Sequence, residues 1–165
     1  MRYRDCPTVE VAVRVVATPA AVWSLVSDIG FPVSFSTELQ SVEWLSGATT
    51  LAVGNRFRGN NVHPALGNWS TDSEVIEVEE GRRWVWQVEN WEGKVSATWG
   101  FEVDPGRDAV TVRQWARMGP APSGLSGAIA QMPDKEARIV ANRLDEWRDG
   151  MSRNLAGIQE ALAAG

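Results

Sequence analysis

His63 is the only histidine in the chain, and histidine is the residue type that exchanges a proton near neutral pH without special help. It fits two descriptions: a general base or hydrogen-bond donor to a ligand carbonyl, or a strand-end residue beside Pro64 bonded to backbone. No neighbouring position offers it a carboxylate. One histidine and one distant cysteine, Cys6, supply no zinc or iron ligand set, and a lone cysteine closes no disulfide. No metal and no organic cofactor is therefore expected. No serine sits in a Gly-x-Ser-x-Gly elbow. Glu77, Glu79 and Glu80 crowd the approach to Gly81, and Glu89 and Glu92 flank Trp91. Acid–base work needs two carboxylates on one face reaching one bond, whereas edge and turn positions like these read as solvated surface.

The frame around these groups is that of a globular protein. The chain has 165 residues, read as a single domain over 1–165, with 44% hydrophobic and 22% charged residues. Its net charge of −5 makes it a poor match for a phosphate backbone, so no nucleic-acid partner is expected. No apolar run approaches the ~18 residues of a membrane span, and the N-terminus has no signal-like apolar stretch. A cytoplasmic location without stable membrane insertion follows as the expectation. The unusual count is nine tryptophans, against one tyrosine and four phenylalanines. Tryptophan packs cores and also lines pockets.

Residues 8–16 alternate at period two and read as a strand. Thr18-Pro19 then starts a short helix carrying Val22, Trp23, Leu25, Val26 and Ile29, with Gly30 placed as its cap. Residues 31–39 read as a second short helix. Six strands follow: one marked by Val42 and Trp44, then 55–63, 69–79, 83–91, 94–103 and 109–118. Short turns between them imply antiparallel hairpins. Residues 119–127 read as a Gly/Pro/Ser connector, and a long helix begins around Met132-Pro133-Asp134. Its stripe is Val140, Leu144, Trp147, Met151, Leu155, Ile158 and Leu162. Gly150 interrupts it, as a kink, a close contact or a tolerated site. A stripe this long needs a partner surface, and the curved sheet is the one available.

This order, with Thr18-Pro19-Ala20-Ala21-Val22-Trp23 and Val53-Gly54-Asn55-Arg56-Phe57-Arg58-Gly59, resembles the START-like helix-grip superfamily (SRPBCC). His63-Pro64, Gly67-Asn68-Trp69 and the run from Gly119 through Met132-Pro133-Asp134-Lys135-Glu136 add to the likeness, which is strongest to bacterial polyketide cyclase/dehydratase-like members. The resemblance covers nearly the whole chain. It implies an α+β fold in which a seven-stranded antiparallel sheet wraps a long C-terminal helix, with a cavity between them and two short helices after the first strand.

Alternation says which side chains face that cavity. If Phe57 points inward, so do Gly59, Asn61 and His63; the other strands contribute Trp84, Trp86 and Val88, then Val95, Ala97, Trp99, Phe101 and Val103, then Val110, Val112, Gln114, Ala116 and Met118. Arg113, Trp115 and Arg117 fall outside, as solvated surface or a partner patch. The helix supplies Leu144, Trp147 and Met151. The inward face is apolar and aromatic with a few polar groups, Asn61, His63, Thr71, Ser73 and Gln114, which is how small-molecule pockets are composed. The candidate ligand contacts are Phe35, Phe57, Asn61, His63, Trp69, Thr71, Trp84, Trp86, Trp99, Phe101, Gln114, Trp147 and Met151.

Three functions fit. The first is binding of a hydrophobic small molecule, aromatic or lipid-like, in the cavity. The second, implied by the resemblance, is a cyclase or dehydratase acting on a poly-β-keto chain, with His63 moving a proton and Asn61 and Gln114 holding an enolate oxygen. The third is a protein-interaction module.

Overall fold

The structure, a computed structural model, describes residues 1–163. After a 3₁₀ turn at Tyr3–Asp5 come strand β1 (Thr8–Val15), helix α1 (Pro19–Val26) and a 3₁₀ turn at Phe31–Ser34. Strands β2 (Leu39–Trp44), β3 (Arg56–His63), β4 (Gly67–Glu79), β5 (Arg83–Glu89), β6 (Val95–Pro105) and β7 (Val110–Met118) follow. Helix α2 (Gly124–Gln131), a 3₁₀ turn at Pro133–Lys135 and helix α3 (Glu136–Ala163) complete the described chain. The seven strands form one antiparallel sheet in the order β1-β7-β6-β5-β4-β3-β2. The expected α+β helix-grip arrangement is the one observed.

Local chemistry explains most boundaries. Thr18 Oγ1 accepts from the Ala21 N–H at 3.2 Å and Pro19 occupies the first helical position, so α1 starts where a hydroxyl satisfies a free donor. It ends earlier than expected. Ser27 follows its last residue, and Gly30 keeps an ordinary φ of −82° as the lead-in to the 3₁₀ turn. The β4–β5 and β5–β6 turns pass through Gly81 and Gly93 at φ 81° and 74°, a left-handed conformation that favours glycine.

Two expectations about the C-terminal half are corrected. Part of the Gly/Pro/Ser connector is helical: Ser123 Oγ accepts from Leu125 N–H at 3.2 Å while Ser126 Oγ accepts from Ser123 N–H at 3.0 Å, and this reciprocal cap starts α2. The chain then breaks at Met132, so the long helix begins at Glu136 rather than at Met132-Pro133. In its 28 residues, about 42 Å, Val140, Leu144, Met151, Leu155 and Ile158 are buried.

The core divides in two. One cluster gathers Val15, Val22, Trp23, Phe57, Trp84, Phe101, Val112, Leu155 and Ile158. The other gathers Tyr3, Val9, Ala116, Met118, Val140, Leu144 and Met151. Trp84 Nε1 donates to the carbonyl of Val26 at 2.7 Å, tying the sheet to the last turn of α1. On the outer face of the sheet, Trp115 lies over Gly100, where a Cβ would come within 2.5 Å of its ring, and Arg83 stacks on the same indole at 5.4 Å.

The close helix contact is at Gly157, not Gly150. A Cβ on Gly157 would sit 2.6 Å from the Phe35 ring, whereas one on Gly150 meets only Arg153 Nη2 at 3.9 Å. Gly157→Ala is therefore expected to destabilise the protein by about 1–3 kcal/mol through overpacking. Gly150→Ala is expected to stabilise it by about 0.5–1 kcal/mol by removing a glycine from a helix interior. Urea unfolding midpoints at unchanged slope test both; the same sign for the two substitutions contradicts the assignment.

Candidate functional site

Between the concave face of the sheet and α3 lies a cavity of about 1110 Å³. Its lining includes most of the side chains that alternation places inward, and on β3 and β4 some of their opposite-parity neighbours as well. From β3 come Phe57, Gly59 and Asn61; from β4, Trp69, Thr71 and Ser73; from β5, Trp84, Trp86 and Val88. Further wall residues include Ala97, Trp99 and Phe101 of β6, Gln114 and Met118 of β7, and Glu146, Trp147, Met151 and Asn154 of α3. A register shift between Val88 and Glu89 turns Ser96 inward as well.

The tryptophans are arranged rather than merely numerous. Trp84 and Trp86 stack with centroids 4.3 Å apart and planes at 26°. Trp86 and Trp99 lie at 14°, 6.2 Å apart, and Trp99 meets Trp147 of the helix at 4.8 Å. Trp86, Trp99 and Trp147 are only half-buried, so their faces are open to whatever enters the cavity. Such walls suit a flat apolar molecule.

Two candidate contacts fall outside the lining. Phe35 is committed elsewhere: its ring sits on Gly157 and 5.0 Å from that of Phe31. His63 stands at the end of β3 with both ring nitrogens engaged. Nδ1 accepts from the backbone N–H groups of Ala65 (2.9 Å) and Leu66 (3.2 Å), which leaves Nε2–H to donate to Glu146 Oε2 at 3.1 Å. The ring thus staples the β3–β4 turn to α3, without a free lone pair for a substrate proton. Its carboxylate partner lies 83 residues away in sequence, where no reading of neighbouring positions would find it.

That carboxylate belongs to a network that sequence reasoning missed. Arg143 donates to Glu38 at 2.8 and 2.9 Å and to Glu146 at 2.5 Å, and lies over the rings of Trp69 and Trp147 at 6.0 and 5.9 Å. Desolvation pulls the guanidinium pKa down, but the hydrogen bonds and charges of Glu38 and Glu146 outweigh it and hold the group above its ordinary value. One ligand atom each from Glu38, His63 and Glu146 falls within 4.8 Å of the others, so metal-type donors do converge, contrary to the expectation that no such set exists. Arg143 already bonds both carboxylates and supplies the positive charge that a cation would bring.

Deeper in, Asn154 Nδ2 donates to Gln114 Oε1 at 3.1 Å. Asn154 was not anticipated, although its place gives it away: it falls three residues after Met151, on the buried stripe, where a polar side chain is out of pattern.

A curved antiparallel sheet holding one long helix over an apolar cavity is the helix-grip architecture. The family model described as "Polyketide cyclase / dehydrase and lipid transport" matches residues 7–146, and the chain belongs to that family. No curated protein matches. Among solved structures, the chain is similar to the Polyketide_cyc-like protein Cgl2372 from Corynebacterium glutamicum: 25% identity, 95% of this chain and 91% of that one covered, TM-score 0.66. Protein NE0264 from Nitrosomonas europaea is 12% identical over 95% of this chain and 94% of that one, with TM-score 0.63. The di-domain ARO/CYC BexL from the BE-7585A biosynthetic pathway is 11% identical over 96% of this chain and 50% of that one, with TM-score 0.69.

The rim network makes a direct prediction. Arg143→Met leaves Glu38 and Glu146 facing each other in a half-buried site without their cation, and is expected to cost about 2–3 kcal/mol. Double substitution with Glu38→Gln should recover part of that loss. Chemical denaturation of the single and double variants tests this; strictly additive losses contradict the coupling.

Proposed function

We propose that the protein binds a hydrophobic small molecule, aromatic or lipid-like, in the sheet–helix cavity. The observation that carries this reading is the cavity of about 1110 Å³ faced by the Trp86–Trp99–Trp147 array. A void of this size exceeds what packing defects leave and is at the upper end of small-molecule sites, about 300–1000 Å³. Polar groups among its apolar walls, Asn61, Thr71, Ser73 and Gln114 among them, orient a ligand. The candidate contacts are Phe57, Trp69, Trp84, Trp86, Trp99, Phe101, Trp147 and Met151 together with those polar groups. The protein works in the cytoplasm on this reading, taking its ligand from water or from another protein.

Native mass spectrometry of freshly purified protein, followed by organic extraction, tests the reading. A near one-to-one apolar passenger is expected, or uptake of the neutral dye N-phenylnaphthylamine by protein that is empty. Trp99→Ala should weaken dye binding about three- to tenfold, as loss of one aromatic wall contact implies. An empty protein that takes up no dye contradicts the proposal.

A second reading, catalysis of the cyclase or dehydratase kind, is favoured by one observation: Glu146 lines the cavity with His63 bonded behind it. Here His63 acts by positioning Glu146 rather than by touching substrate. Turnover of a β-ketoacyl thioester probe would then fall in His63→Ala with affinity for the probe retained; equal turnover removes His63 from the mechanism.

A further inference from the structure

We propose that Gln114 and Asn154 form a hydroxyl-recognising subsite, so that the molecule held in the cavity is a flat, apolar one led by a hydroxyl group. The inference rests on the cavity-binding reading and narrows it to a chemical class.

Two carboxamides meet at the seam between the two core clusters. On β7, Gln114 stands between Val112 and Ala116; on α3, Asn154 stands between Met151 and Ile158. Both are buried, 3% and 7% exposed, and both line the cavity. They share one hydrogen bond, from Asn154 Nδ2 to Gln114 Oε1. That leaves Asn154 Oδ1 buried with no partner and Gln114 Nε2 with none among the described residues. A buried polar atom without a partner is unfavourable by about 1–3 kcal/mol, and two aliphatic side chains would join the clusters without that penalty.

The unmet atoms define what would satisfy them. Oδ1 needs a donor and Nε2 can donate to an acceptor, and one hydrogen bond links the two carboxamides that carry them. A hydroxyl is the smallest group that meets both, donating its hydrogen to Oδ1 while its oxygen accepts from Nε2. A carbonyl or an ether accepts only and leaves Oδ1 bare. The rest of the molecule lies along Trp86 and Trp99, nearly parallel at 14°, and Trp147, tilted 51° to Trp99, aromatic walls that favour a planar ring system. At the rim, Arg143 is already bonded by two carboxylates, while Arg153, which also lines the cavity, bonds Thr37 Oγ1 at 3.4 Å.

Three probes of one shape separate the possibilities: naphthol, its methyl ether and naphthalene, titrated against the wild-type protein by calorimetry. Naphthol is expected to bind at least tenfold more tightly than the methyl ether. The ratio should fall to about one in the Gln114→Leu/Asn154→Leu double variant, which should melt no lower than the wild type because it removes both carboxamides together. Asn154→Leu alone should erase most of the preference, and serves if the double variant does not fold. Equal binding of the three probes to the wild type overturns the hydroxyl subsite and leaves the cavity reading intact. A preference that survives in either variant also overturns it, by placing recognition elsewhere. Failure of all three probes to bind overturns the cavity reading and this inference with it.

Discussion

Trp99 and Trp147, meeting across the gap at 4.8 Å, keep α3 from closing onto the sheet. A helix with a continuous apolar stripe would otherwise settle along the concave surface and fill it. Instead the stripe is anchored at both ends, by Val140 and Leu144 in one cluster and by Leu155 and Ile158 in the other, and indoles stand between sheet and helix in the middle. Indoles are too large and rigid to interleave closely there, and the contact that braces the structure also leaves the void. Gly157 serves the same geometry from the far end, letting Phe35 bring the segment after α1 down onto the helix.

Several of the charged groups lining that void are paired. Arg143 bonds Glu38 of the segment entering β2 and Glu146 one turn along α3, and His63 passes the network on to the β3–β4 turn. Three separate parts of the chain are thereby joined by one network, whose guanidinium also lies over the rings of Trp69 and Trp147. An arrangement of this sort ties the edges of the opening together with each charged group paired.

Most of the sheet was legible in the sequence because its strands alternate cleanly and its turns are punctuated by glycine. Trp84, Trp86, Trp99, Phe101 and Gln114 could be placed on the cavity side by parity alone. Parity failed where geometry bends it: Ser96 turns inward at a bulge, and β3 ends so that His63 meets Glu146 instead of the cavity. Helix α2 was hidden by composition, since Gly124 and Gly127 argue against a helix while the Ser123–Ser126 cap that starts it is easily overlooked. The rim network was invisible for a different reason. Its members, at positions 38, 63, 143 and 146, come together only through the tertiary fold. Phe35 shows the converse error, an aromatic residue assigned to the pocket when a distant glycine had made a seat for it.

The central claim is that the tryptophans facing the cavity are a binding surface and not merely a core. A titration of ¹⁵N-labelled protein with naphthol, followed through the indole N–H signals, tests it most directly. Trp69, Trp84, Trp86, Trp91, Trp99 and Trp147 line the cavity, while Trp23, Trp44 and Trp115 do not. Saturable shifts at Trp86, Trp99 and Trp147, with Trp23, Trp44 and Trp115 unmoved, are the predicted result. Shifts confined to exposed Trp91 or to Trp115 on the outer face, or no saturable shift at all, would contradict the account.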